Sequence, residues 1–191
     1  MVSQIKVDSV LESSSGNGVT VDGVLLKDSK LASGTGNILQ TKSQFFDTQT
    51  NIANTTSFQD TGLTLAITPS ATSSKILCMF YPSFSGEDNS YIAFKMFRDS
   101  TEIGSSTVTG TGLECFTGMS FRDTGNLSYS TFTFPLIFLD SPSTTSAVTY
   151  KLQASPMRTS NKNMYINRSY NLGDDNQFRS VSNVILMEVG G

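Results

Sequence analysis

No window of a dozen residues in this chain carries apolar side chains at i, i+3, i+4 and i+7 between recognisable caps, so an amphipathic helix has nowhere to start. Apolar residues arrive in short runs instead, and Gly, Pro, Asn, Asp and Ser fill the gaps. Strand-like runs fall near 40–46, 62–68, 75–81, 91–98, 101–108, 113–121, 129–139, 147–154, 163–167 and 182–189. Alternation is plain in places: Leu63, Leu65 and Ile67 share a face, and Tyr91, Ala93, Lys95 and Phe97 oppose Ile92, Phe94, Met96 and Arg98. The breaks carry turn chemistry, as at 69–74, 85–89, Asp99-Ser100, 123–126 and 140–143. Ser (29) and Thr (23) make up more than a quarter of the 191 residues. Thr suits a pleated sheet, and Ser competes with the helical backbone for hydrogen bonds. The reading is all-β: residues 40–191 form an antiparallel β-sandwich, jelly-roll-like in style.

Residues 1–39 are different. They hold small apolar clusters between Gly, Ser, Asn and Asp, without an aromatic residue, and they repeat: Val7-Asp8-Ser9-Val10-Leu11 returns as Val21-Asp22-Gly23-Val24-Leu25. Asp22-Gly23 between VTV and VLL is a strong hairpin signal, because a two-residue turn of this type needs positive φ at both positions. A two-stranded unit this small cannot bury its own apolar face. The segment must therefore pack on copies of itself or dock as extra strands on its own chain; the reading taken is a short repetitive N-terminal arm that attaches and trimerises, with Val7, Val10, Leu11, Val21, Val24 and Leu25 as the trimerisation candidates.

Composition removes several functions. The chain has no histidine, hence no His-based triad, His general base or His-ligated metal. A net charge of −3 opposes nucleic-acid binding through phosphates. No apolar run reaches the length of a membrane-spanning helix, and MVSQIKVDSV lacks the apolar stretch of a secretory signal. Cys78 and Cys115 lie in apolar strand-like runs and read as buried free thiols, although sequence does not settle their pairing. The expectation is a non-enzymatic protein that needs no cofactor.

Three stretches bear a resemblance. Thr61-Gly-Leu-Thr-Leu-Ala-Ile-Thr-Pro-Ser-Ala-Thr-Ser-Ser-Lys-Ile-Leu77, Phe97-Arg-Asp-Ser-Thr-Glu-Ile-Gly104 and Phe138-Leu-Asp-Ser-Pro-Ser-Thr-Thr-Ser-Ala-Val-Thr-Tyr-Lys-Leu-Gln153 resemble motifs of a virion protein family common in marine bacteriophages. Ile5–Asp8 and Gly18–Asp28 are similar to the short shaft repeats that precede such domains in phage tail fibres. The resemblance covers most of residues 5–155 and implies a trimeric tail fibre or other virion structural protein, exposed on the particle surface and attached to tail or capsid proteins. Capsid decoration, or a head fibre, is the alternative place. A lone carbohydrate-binding module is a further one, which would need neither trimer nor repeat arm. The family supplies no catalytic residues.

Within the sandwich, the segment 158–179 looks most like a binding surface. Tyr165, Tyr170 and Phe178 alternate there with Arg168, Asp174, Asp175 and several Asn. Aromatic faces suit the apolar side of a sugar ring, while amides and charged groups suit its hydroxyls, so these six residues are the candidate receptor or glycan contacts. The opposing reading is a solvated loop or a subunit contact. Glu87-Asp88-Asn89 and Asp174-Asp175-Asn176 carry oxygen ligands of the kind calcium uses, but lack the spacing of a calcium loop and read as turns. Glu102, Glu114, Asp123 and Asp140 are the only carboxylates placed for glycoside hydrolysis, and no spacing pairs two of them.

Overall fold

The computed structural model describes residues 19–21, 24–27, 30–31, 36–53, 56–121, 129–157, 162–173 and 177–191. All regular structure among them is strand, paired antiparallel throughout. Strands β1 (Val19–Val21), β2 (Val24–Lys27) and β3 (Lys30–Leu31) form a three-stranded sheet of their own. Val21 faces Val24 and Lys27 faces Lys30, so two residues separate each pair of strands, as the hairpin signal requires. Val21, Val24 and Leu25 lie in β1 and β2; Val7, Val10 and Leu11 lie outside the described residues.

Beyond Gly36 the chain builds a sandwich. One layer has the order β13 (Leu136–Asp140), β7 (Lys75–Tyr81), β16 (Ser182–Val189), β4 (Ile38–Phe46). A second set has the order β12 (Phe132–Thr133), β8 (Ser83–Gly86), β15 (Met164–Ile166), β5 (Thr50–Ile52). These two sets are one sheet bent across a seam. Pro82 alone separates β7 from β8, and Phe134-Pro135 separates β12 from β13. Proline has no N–H to give a ladder, so the pairing breaks where each one stands. The facing sheet runs β9 (Ser90–Arg98), β14 (Val148–Ser155), β6 (Gln59–Ile67), with β10 (Thr101–Ile103) and β11 (Thr117–Phe121) sharing the other edge of β9.

The core lies between the sheets. Alternate residues point inward: Ile76, Cys78 and Phe80 on β7, Val184 and Leu186 on β16, Phe94 and Met96 on β9, Tyr150 and Leu152 on β14, all buried. Phe84 stands edge-on to Phe94 and Phe134, each at 5.0 Å between ring centres, a geometry that adds electrostatic attraction to the burial. Both thiols are free; Cys78 is buried in the core, which pushes its pKa well up, and Cys115 is half-buried.

Two of the buried carboxylates are each held by several hydrogen bonds. Asp140 accepts from Arg98 Nη1 at 3.0 and 2.8 Å and from the Tyr150 hydroxyl at 2.7 Å, tying β13 of one sheet to β9 and β14 of the other. Burial first, then the bond to Asp140, raises the Tyr150 pKa far above its ordinary value and keeps the phenol a donor. In the same register row, across Ile76 of β7, the buried Glu188 accepts from Ser70 N and Ser70 Oγ, both at 2.6 Å, and from Gln40 Nε2 at 2.6 Å.

Several elements depart from the pattern read in the sequence. β10 stops at Ile103 rather than near 108, because Gly104 turns the chain at φ +73. β11 starts at Thr117 rather than 113, and the run 129–139 divides at Phe134-Pro135. β5 and β8 fall outside the strand-like runs, because Ser83-Phe84-Ser85-Gly86 has the composition of a turn. Asp99-Ser100 does form the tight turn between β9 and β10, with Asp99 at φ +52 and its carboxylate accepting from Thr149 N at 2.9 Å. Close packing at Gly86 gives a first test. A Cβ there would lie 2.8 Å from Ile92 Cδ1 and 2.6 Å from Ser90 Oγ. Gly86→Ala should cost about 1–3 kcal/mol in urea unfolding, as overpacking does.

Candidate functional site

The segment that looked like a binding loop is a strand followed by an excursion. Residues 164–166 enter the bent sheet as β15, between β5 and β8. Met164 and Ile166 point into the core, so period-two alternation places Tyr165 on the outer face. The chain then leaves the strand at Asn167, with Arg168 and Tyr170 set against the Tyr165 ring on that outer face, and re-enters as β16 at Ser182.

Asn167 fixes the point of departure. It is buried, at φ +62, a conformation Asn tolerates better than most residues. Its Nδ2 donates to Phe46 O (3.2 Å) and Thr48 O (2.9 Å), and its Oδ1 accepts from Ser182 Oγ (2.6 Å). Its backbone N–H donates to Ser83 O, and its carbonyl accepts from Ser180 N. One residue, through side chain and backbone together, thus joins both sides of the seam to both ends of the excursion. Further bonds press the excursion onto the sheet: Ser85 Oγ donates to Arg168 O at 2.8 Å, and Ser83 Oγ to Ser180 Oγ at 2.7 Å. Ser169 and Phe178 are tied in both directions, Ser169 N to Phe178 O at 3.0 Å and Phe178 N to Ser169 Oγ at 2.8 Å.

Three of the six candidate contacts meet directly. The Arg168 guanidinium lies 4.6 Å above the Tyr165 ring, and the Tyr165 and Tyr170 rings are 5.6 Å apart. Arg168 also donates through Nε to Ser169 O and through Nη2 to Tyr170 O, at 3.0 and 2.7 Å. Beneath them, Glu87 accepts from Asn163 Nδ2 at 2.6 Å and from the Tyr165 hydroxyl at a long 3.5 Å, with Lys162 Nζ 3.9 Å from its other oxygen. Burial, then the Glu87 charge, raises the Tyr165 pKa despite the opposing Asn163 bond and Arg168 charge.

This geometry corrects one expectation. Tyr165 is only 6% exposed and offers no free face to a sugar. It is the floor on which Arg168 and Tyr170 rest. Arg168 spends its donors on backbone carbonyls, where a planar cation holds a turn together. Tyr170 and Phe178, at 39% and 56% exposure, are the aromatic groups that reach solvent. Asp174 and Asp175 lie outside the described residues. Sequence reasoning does not single out Asn167, and it reads Glu87 only as a turn residue. A polar residue between two apolar runs that bends the chain was the signal for Asn167. The hydrolase candidates do not assemble: Glu102 pairs with Lys95 at 2.8 Å, Asp140 sits under Arg98 and Tyr150, and Asp123 lies outside the described residues. Among the described residues no group of three or more acidic or cysteine side chains is placed to hold a metal.

No family model matches the chain, and no curated protein does. Among solved structures, one of infectious bursal disease virus, Gx strain, is similar over 90% of this chain and 42% of its own, with 9% identity and a TM-score of 0.36. The VP2 subviral particle of the same virus is similar over 94% of this chain and 45% of its own, with 11% identity and a TM-score of 0.30. The chain thus spans less than half the length of either. At such scores the all-β architecture rests on the chain's own strand pairing.

Proposed function

We propose that this chain is a non-enzymatic surface protein of a bacteriophage particle, tail-fibre-like, built as a homotrimer through residues 1–39 and contacting a host cell-surface glycan through the excursion 167–181. The motif resemblance supports the virion assignment. The host-contact assignment rests on one observation: a segment clamped to a rigid sheet by Asn167, Ser83 and Ser85 holds Tyr170 and Phe178 in solvent. A preorganised aromatic surface binds without the entropy cost of ordering a free loop. Glu102 and Asp140 are occupied by ion pairs, which supports a binding rather than a hydrolytic role.

The test has two readouts. In purified particles, quantitative mass spectrometry should give a few tens of copies or fewer; hundreds of copies, in proportion to the major capsid protein, would make the chain a capsid decoration instead. In binding of the labelled full chain to host cells, Tyr170→Ala with Phe178→Ala should weaken attachment by at least about tenfold with the melting temperature unchanged. Unchanged attachment would remove the contact assignment.

A further inference from the structure

The two faces of the sandwich are not alike. Outward residues of the facing sheet are ordinary surface: Lys151 pairs with Asp60 at 3.0 Å, Gln153 Nε2 donates to Asp60 at 2.8 Å, and Lys95 pairs with Glu102. Those of β13, β7 and β16 are largely apolar. Register sets them in rows, Ile137 beside Met79 beside Ile185, and Leu139 beside Leu77 beside Met187, and on β4 the rows end on the uncharged Ser43 and Thr41. The next row runs Tyr81, Asn183, Phe45 and ends on Phe45, 59% exposed, while Ile137 and Leu139 at the opposite edge are 49% and 47% exposed. Lys75, at one corner, is the sole charge among these register-matched outward positions.

An antiparallel sheet with one wet face alternates apolar and polar residues, as β14 does, whereas a sheet covered on both faces reads as a continuous apolar run. Lys75-Ile-Leu-Cys-Met-Phe-Tyr81 and Val184-Ile-Leu-Met187 are such runs. The face is therefore built to be covered. We infer that its occupant is a second copy of this chain. This deepens the oligomeric part of the proposed function by placing a self-association surface on the sandwich body, independent of the arm.

Charge and area both point to self-association. In a symmetric assembly a face meets itself or lies around the symmetry axis, where any charge would meet its like. A nearly uncharged face avoids that, and it offers no complementarity to an acidic or basic partner. Four strands about 4.8 Å apart and seven residues long present roughly 450 Å² in plan, so two copies bury on the order of 1,000 Å², about the area a specific contact needs.

The test uses the full chain in size exclusion with light scattering. Wild type should run at a whole multiple, two or more, of 20.6 kDa. Ile137→Lys with Leu139→Lys should weaken association at least about 100-fold, giving 20.6 kDa at micromolar concentration, with an unchanged circular dichroism spectrum. Thr149→Lys, on the facing sheet's outer face, should keep the wild-type mass. If the lysine pair fails to fold, Ile137→Ser with Leu139→Ser should shift the dissociation midpoint in the same direction. A monomeric wild type overturns the inference, as does a lysine or serine variant that keeps the full mass. Val21→Ser with Val24→Ser separates the two readings. Dissociation by the arm variant alone would sink the face and keep the arm-driven trimer; dissociation by the face variant alone would do the reverse.

Discussion

Asp140→Ala is expected to be the most damaging single substitution in the sandwich, lowering stability by about 3–5 kcal/mol in urea unfolding. The carboxylate is the shared acceptor of Arg98 and Tyr150, and both donors keep their places when it is gone. Arg98 is left as a partly buried cation without its counter-charge, and the fully buried Tyr150 hydroxyl loses its acceptor. Asp140→Asn should fall between wild type and Ala, because the amide oxygen can still accept one of the bonds. Lys151→Ala is the control. It removes an ion pair of similar length, but Asp60 is well exposed, so the loss should be about 0–1 kcal/mol. Equal losses in the two alanine variants would show that the cluster does not clamp the sheets.

Removing the Glu188 carboxylate should have the second largest effect, about 2–3 kcal/mol at neutral pH for Glu188→Gln. The new amide would turn an N–H₂ toward either Ser70 N–H or the Gln40 amide, setting donor against donor. Burial pushes the Glu188 pKa up, but the bonds from Ser70 and Gln40 outweigh it and bring it down to about 2 from 4.5. The folded value lies below the unfolded one, so the stabilisation is complete above pH 4.5 and disappears as pH falls from there through about 2. Thermal melting of the wild type should decline through that window, and the Gln variant should decline less. Parallel acid profiles would disprove the linkage.

These two clusters explain what the sequence could and could not reveal. The residues that carry the resemblance to phage virion proteins converge in space: Arg98 from one motif binds Asp140 from another, Tyr150 from the same stretch completes the cluster, and Ser70 from the first motif binds Glu188. The recognisable motifs therefore hold the sheets together, which is why they indicate the fold more firmly than the function. Long apolar runs such as 75–81, 91–98 and 182–189 were legible as strands because periodicity is local. Tyr165 was misjudged because its exposure depends on what the chain does after residue 167, and no local pattern encodes that cover. Pro135 in the run 129–139 could have been read as the break it is. The apolar outer face was invisible for another reason: a run apolar at every position does not say which half points outward.

The central place of β16 also governs when this molecule can become itself. Residues 182–189 pair on one side with 75–81 and on the other with 38–46, so the strands synthesised earlier stay apart until this one arrives. Loop closure over such separations is slow, and the waiting edges of β4 and β7 are ready templates for other chains. During translation β4 and β7 each present one unpaired edge until their common neighbour is made. Its vulnerability to mispairing is thus concentrated in one interval, which closes when residue 189 emerges.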